Sequence, residues 1–157
     1  MALVAHLFFG SRGQKTQVFS GDIRLWIPQR NIFTYPDVMV VAGDVVYYES
    51  RQDTILNPSL IVEVLSRSTK AYDKMDKFDD YRSIPNFQEY IIIDQYRYAV
   101  DRYVKTDEGK WLITYHESKE DVLELSSTGV KLKLQDIYAN VNFETVETTK
   151  PNSLTNR

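Results

Sequence analysis

Leu60-Ile61-Val62-Glu63-Val64-Leu65 sets one carboxylate in the middle of an aliphatic run. Five of the six residues are aliphatic and three are β-branched, a composition that favours a central strand over a helix. Strand alternation puts Ile61, Glu63 and Leu65 on one face and Leu60, Val62 and Val64 on the other. Neither face reads as a plain solvent face. A glutamate is costly to bury there unless it is paired, hydrogen-bonded or bound to metal.

A second carboxylate stands upstream, in Tyr35-Pro36-Asp37-Val38-Met39-Val40-Val41-Ala42. Pro36 restricts Tyr35 to an extended backbone. Asp37 then opens a five-residue apolar run that reads as a buried strand. If the two strands are neighbours, Asp37 and Glu63 converge at one sheet edge. Carboxylates about 4–5 Å apart repel, and a divalent cation between them relieves the repulsion. Oxygen ligands without His or Cys point to Mg2+ or Mn2+. The alternative is that Glu63 pairs with a buried Lys or Arg while Asp37 starts a strand or caps a turn. Spacing alone leaves both readings open.

Before these strands, Met1 to Phe9 is apolar apart from His6 and reads as the tail of a helix stopped by Gly10. Gln17 to Pro28 alternates as one strand, Gln29-Arg30-Asn31 as a turn, and Gly43 to Pro58 as a loop. After Leu65, Ser68 and Thr69 are candidate helix N-caps. Ala71, Met75, Phe78 and Arg82, with Tyr72 and Tyr81 beside them, predict a helix from about 70 to 82. Lys70, Asp73 and Lys77 share one stripe of it. That stripe could face the carboxylates, or it could be a solvated face with an Asp73–Lys77 pair. Glu89 to Asp94 is a further aliphatic strand. Tyr98 to Val104 and Lys110 to His116 form a hairpin around Asp107-Glu108-Gly109. Asp121 to Leu125 and Val130 to Leu132 are short strands, and Leu134 to Asn140 a short helix. The fold class is α+β or α/β, with a mixed sheet flanked by few helices. Residues 1–144 read as one domain and 145–157 as a fraying tail.

Composition narrows the chemistry. The chain has 157 residues, 43% hydrophobic and 26% charged, a globular balance. It has no cysteine and only two histidines, His6 and His116, neither in a metal-spaced motif. Disulfides, thiolate chemistry and zinc–cysteine sites are excluded, and carboxylates and lysines remain. The net charge of −3 argues against a protein that coats DNA by bulk charge. No run of about 18 apolar residues and no signal-peptide pattern is present, so the expected location is the cytoplasm, without membrane contact.

Taken in order, Tyr35-Pro36-Asp37-Val38, Asn57-Pro58-Ser59-Leu60-Ile61-Val62-Glu63-Val64-Leu65-Ser66, Ser68-Thr69, Tyr72-Asp73 and Lys77-Phe78 resemble the Uma2 family of bacterial restriction-endonuclease-like proteins. Ile84-Pro85, Glu89-Tyr90 and Leu134 to Tyr138 extend the likeness from about Phe8 to Phe143. The resemblance implies the PD-(D/E)xK nuclease superfamily and a restriction-endonuclease-like central mixed sheet flanked by helices. It matches Asp37 to the motif Asp and Glu63 to the motif Glu. The motif lysine is expected two residues after the Glu, where Leu65 stands. Lys77, on the following helix, matches it instead. Tyr72, Asp73 and Asp22 match further recurring positions. Two departures stand out. Arg67 occupies a position that is usually Pro, and relatives carry roughly a further helix before Met1, one that often supplies an acidic residue near the metal.

The activity so implied is Mg2+-dependent (or Mn2+-dependent) hydrolysis of DNA phosphodiester bonds, giving a 3′-hydroxyl and a 5′-phosphate. Asp37 and Glu63 would hold the metal and Lys77 would supply catalytic charge. Arg67, Lys70 and Lys74 would contact the DNA backbone, or would be plain surface cations. A homodimer would suit cleavage of both strands. The rival from another class is a catalytically inactive nuclease fold acting in DNA binding or assembly. An all-β ligand-binding domain would explain the Tyr content but not Glu63.

Overall fold

The computed structural model describes residues 15–65 and 76–143. Its main sheet has six strands: β1 (Thr16–Ser20), β4 (Val38–Ala42), β7 (Leu60–Leu65), β8 (Glu89–Asp94), β9 (Val100–Lys105) and β10 (Trp111–His116), in that spatial order. β7 and β8 run parallel and the other neighbours antiparallel. The sheet is therefore mixed, as expected. β7 is central because its side chains are apolar on both faces, and every residue but Val64 is buried.

Each face of the sheet has its own cover. The even-numbered face of β7 packs Leu60 and Val62 against the hairpin β11 (Val122–Glu124) and β12 (Lys131–Lys133) and the helix α2 (Leu134–Ile137). The odd-numbered face, with Ile61 and Leu65, packs against a second sheet and the helix α1 (Phe78–Tyr81). That second sheet runs β3 (Ile32–Thr34), β2 (Arg24–Ile27), β6 (Arg51–Ile55), β5 (Tyr47–Tyr48). Its inner face contributes Leu25, Ile27 and Ile55, all fully buried. Three layers with two apolar interfaces result.

Buried polar groups lock the layers. Glu89 is fully buried and accepts from Arg102 Nε at 2.7 Å, from the backbone N–H groups of Ser126 and Ser127, and from the Ser127 hydroxyl. The Tyr138 hydroxyl donates to the Asp94 carbonyl at 2.6 Å, tying the end of α2 to the end of β8. Both arrangements satisfy groups that would otherwise be costly in a low-dielectric interior.

Three expectations need correction. Gln17 to Pro28 is not one strand. The chain turns at Gly21, whose φ of +78° suits a residue without Cβ, and β1 and β2 lie in different sheets. The apolar positions change parity there, from Val18 to Ile23, Leu25 and Ile27. Gly43 to Pro58 is not all loop. It contains β5 and β6, joined through Glu49 and Ser50 at φ of 48° and 59°. The first three residues of β6 are polar and exposed, so periodicity is silent, and pairing with β2 makes the strand. The C-terminal helix ends at Ile137 rather than Asn140. The helix expected at 70–82 is described only from residue 76 and ends at its C-cap Arg82. The expected helix tail at 1–9, the caps Ser68 and Thr69, and the tail from 145 lie outside the described residues. No helix among the described residues is long and apolar enough to cross a membrane.

Candidate active site

β4 and β7 pair Val38 with Val62 and Met39 with Ile61. One step further along this antiparallel register sets Asp37 opposite Glu63, with both side chains on the odd-numbered face. Asp37 lies just outside the ladder, and its Oδ2 accepts the Val64 N–H at 2.7 Å. That bond satisfies a backbone donor at the frayed end of the β4–β7 pairing and fixes the aspartate beside its neighbour. Asp37 is exposed, whereas Glu63 is 3% exposed, so the pair descends from solvent into the interface between the layers.

The helix supplies the rest. The Tyr81 phenol donates to Glu63 Oε1 at 2.5 Å, and Lys77 Nζ stands 3.6 Å from the same oxygen. Lys77 and Tyr81 are four residues apart and so share one side of the helix. Phe78 points elsewhere, stacking with Tyr90 and packing with Tyr103 and Trp111. These aromatic contacts fix the helix against β8, β9 and β10 and thereby aim Lys77 and Tyr81 at β7.

Burial pushes the Glu63 carboxyl up to about 7. The Tyr81 hydrogen bond and the Lys77 charge oppose this, while Asp37 adds to it through its charge and a hydrogen bond between the two carboxyls. Burial first, then the Glu63 carboxylate, lifts the Tyr81 phenol far above its usual range. Tyr81 therefore keeps its proton and stays a donor. A buried carboxyl that holds a proton near neutrality, beside a second carboxylate, is a place where a cation can replace that proton.

The donor set fits a hard divalent ion. It offers carboxylate oxygens from two adjacent strands and no nitrogen or sulfur. Among the described residues no third His, Cys, Asp or Glu completes a cluster around them. Mg2+ is commonly held by one or two carboxylates, with waters and substrate phosphates filling its other positions.

Of the residues singled out from sequence, Asp37, Glu63 and Lys77 come together. Asp22 sits in the exposed bend between β1 and β2 and joins no such cluster. Arg67, Lys70, Tyr72, Asp73 and Lys74 lie outside the described residues. The sequence places Tyr81 on the helix but does not single it out as a site residue, and its bond to Glu63 emerges only in the structure. Its i,i+4 spacing from Lys77 was the available signal.

Residues 2–135 match the model of the Uma2 family, described as "Putative restriction endonuclease". The uncharacterised protein sll1609 of Synechocystis sp. (strain ATCC 27184 / PCC 6803 / Kazusa) is 43% identical over 110 residues, 70% of this chain and 62% of its own length. The uncharacterised protein slr1290 of the same organism is 35% identical over 133 residues, 83% of this chain and 67% of its own length. The chain thus spans about two thirds of the length of these relatives. A crystal structure from Anabaena variabilis ATCC 29413, of a protein described as "a putative nuclease", superposes with a TM-score of 0.69 at 14% identity, covering 87% of this chain and 76% of that one. That likeness shows a shared fold. The family match and the sequence relatives together make this chain a member of the Uma2 family.

Proposed function

We propose that the protein is a metal-dependent nuclease that hydrolyses phosphodiester bonds of DNA, with Asp37 and Glu63 holding Mg2+ or Mn2+ and Lys77 as the catalytic cation. The observation that carries the proposal is the cross-strand Asp37–Glu63 pair with Lys77 Nζ 3.6 Å from Glu63 Oε1. The family description and the nuclease described for the structural neighbour support it. When bound, the ion acidifies a coordinated water and offsets charge on the scissile phosphate.

The protein side of the mechanism follows from the contacts. Asp37 is oriented by the Val64 N–H and offers its oxygens at the solvent-exposed end of the pair. Glu63 is anchored by Tyr81 deeper in the site, where bulk water is excluded. Lys77 is partly exposed and carries its charge at the rim, where it can orient an attacking water or offset charge growing on the phosphate oxygens. Asp22, Tyr72 and Asp73 are assigned supporting roles, and Arg67, Lys70 and Lys74 contacts to the DNA backbone that would be salt-sensitive and sequence-blind. The protein would act in the cytoplasm, and two copies would serve cleavage of both strands.

One observation favours a second reading. Glu63 already has a hydrogen bond from Tyr81 and an ion pair with Lys77, so the cluster could be a structural one in a non-catalytic fold. Calorimetric titration with Mn2+ separates the two. Binding to the wild type and none to Glu63→Gln, with metal-dependent cleavage lost in the variant, is the expected outcome. Absence of binding in both proteins would overturn the nuclease proposal.

A further inference from the structure

The outer face of the small sheet does not look like a solvent face. In β2 the buried Leu25 and Ile27 alternate with Arg24 and Trp26, which point outward and are half-buried. The β2–β3 register sets Trp26 opposite Phe33, and one step beyond it sets Arg24 opposite Tyr35. Tyr48 of β5 joins them from across the sheet. The ring centroids of Trp26 and Phe33 are 4.3 Å apart, and Tyr48 stands 5.4 Å from Trp26 and 5.5 Å from Phe33. The Arg24 guanidinium lies over Phe33 at 3.9 Å from its centroid. Phe33 remains 43% exposed and Tyr35 61% exposed. On the open side of a sheet, alternation normally places polar residues at these positions.

The charge here fits an anionic partner. Arg24 gives its Nε–H to the Thr54 hydroxyl, which in turn donates to Asp53, and among the described residues the direct salt bridge to Asp53 comes from Arg51. An arginine guanidinium lying over a ring, among aromatic side chains held in place by strands, is the arrangement that stacks unpaired bases and meets their phosphates. The face is also close to the candidate site along the chain. Only Pro36 separates Tyr35 from Asp37, and Phe33 is four residues from Asp37, at most about 14 Å along the chain. On the inner side of the same strand, Thr34 meets the Tyr81 phenol that holds Glu63.

We propose that the face formed by Arg24, Trp26, Phe33, Tyr35 and Tyr48 binds unpaired nucleotides of a DNA strand next to the Asp37–Glu63 site. Resting on the nuclease reading, this names the substrate class: DNA with a single-stranded or frayed segment beside the cleaved bond. Duplex DNA keeps its base faces stacked inside and cannot use the platform. Base stacking is worth about five- to 150-fold in affinity per base removed by substitution, so the preference should be large.

The test uses binding without metal and cleavage with it. The chain has two tryptophans, so Trp111→Phe leaves Trp26 as the only reporter. A labelled oligothymidylate, titrated in EDTA, should bind with quenching of Trp26, and the matching duplex should bind far more weakly. Phe33→Ala with Tyr35→Ala removes exposed rings at little risk to folding and should lower oligothymidylate affinity at least tenfold, with Mn2+ binding unchanged. Equal affinity of wild type and double variant, or no response of Trp26 to the oligonucleotide, would overturn the platform. Trp26 emission that follows protein concentration, with dissociation of a dimer in the double variant, would also overturn it by giving the face to a second copy. If oligothymidylate binds as expected but no Mn2+ binds, the platform stands and the nuclease reading falls. If metal-dependent cleavage is found with duplex and single strand cut alike, the reverse holds.

Discussion

Glu63 is a group that folding penalises and function would use. Its carboxyl has an ordinary value of 4.5 and is pushed up to about 7 in the fold, burial being the main cause. Folded Glu63 therefore binds its proton more tightly than the unfolded residue does. In metal-free protein the resulting stability is complete below pH 4.5 and is lost as pH rises toward 7, amounting to roughly 3 kcal/mol. Glu63→Gln should remove this slope in urea unfolding curves measured with EDTA between those pH values. A slope unchanged by the substitution would show that Glu63 is not its source. Lys77→Met removes the second neighbour that favours the charged carboxylate, and it should retain Mn2+ binding while cleavage falls at least a hundredfold. Loss of metal binding instead would make Lys77 a structural partner of the carboxylates. Tyr81 acts through Glu63 and is a positioning residue. Tyr81→Phe should move the Glu63 titration, followed by carboxyl NMR, further above 7, with Mn2+ affinity at neutral pH falling alongside.

At the scale of elements, the Glu89–Arg102 pair is the contrast to Glu63. Both are buried glutamates on adjacent parallel strands. Glu89 faces Arg102, two backbone N–H groups and a serine hydroxyl, whereas Glu63 faces a phenol, a more distant lysine and another carboxyl. The first set satisfies a charge, and the second leaves a cation to be desired. Arg102→Leu should cost about 3–5 kcal/mol in denaturant unfolding, since it strands a buried carboxylate, and should leave Mn2+ binding unaltered. A cost below about 1 kcal/mol would mean that Glu89 finds its compensation in the 126–127 backbone alone.

At the scale of the whole molecule, the site is made where two apolar interfaces meet polar demand. The central strands β4, β7 and β8 bury both faces, and the aromatic cluster of Phe78, Tyr90, Tyr103 and Trp111, with the Arg30 contacts to Asp79 and Asp80, holds the helix at the site. A cation bound at Asp37 and Glu63 would join β4 to β7 in the folded state and have no such site in the unfolded chain. Mn2+ at a hundred times its dissociation constant should then raise the unfolding free energy by about 2.7 kcal/mol. Glu63→Gln should show no such gain, and an equal gain in both proteins would place the ion elsewhere.

The sequence by itself determined the central strand, the face on which Glu63 lies and the opening of β4 at Asp37. Those features follow from local composition: an aliphatic run rich in β-branched residues, the two-residue period that assigns its positions to faces, and a proline before the aspartate. It also limited the chemistry to oxygen and lysine donors, since no thiol exists and the histidines are isolated. Only the tertiary structure decided what those residues meet. Asp37 and Glu63 are 26 positions apart in sequence, and antiparallel register makes them neighbours. Tyr81 reads from its spacing only as a residue of the helix, and the docking of that helix turns its hydroxyl to Glu63. The second sheet escaped the sequence because β5 and β6 are short and polar in part, and because the parity change at Gly21 is a single residue. Its strands exist through pairing across distant segments, which no local pattern encodes, and the aromatic face they assemble became visible only with that pairing.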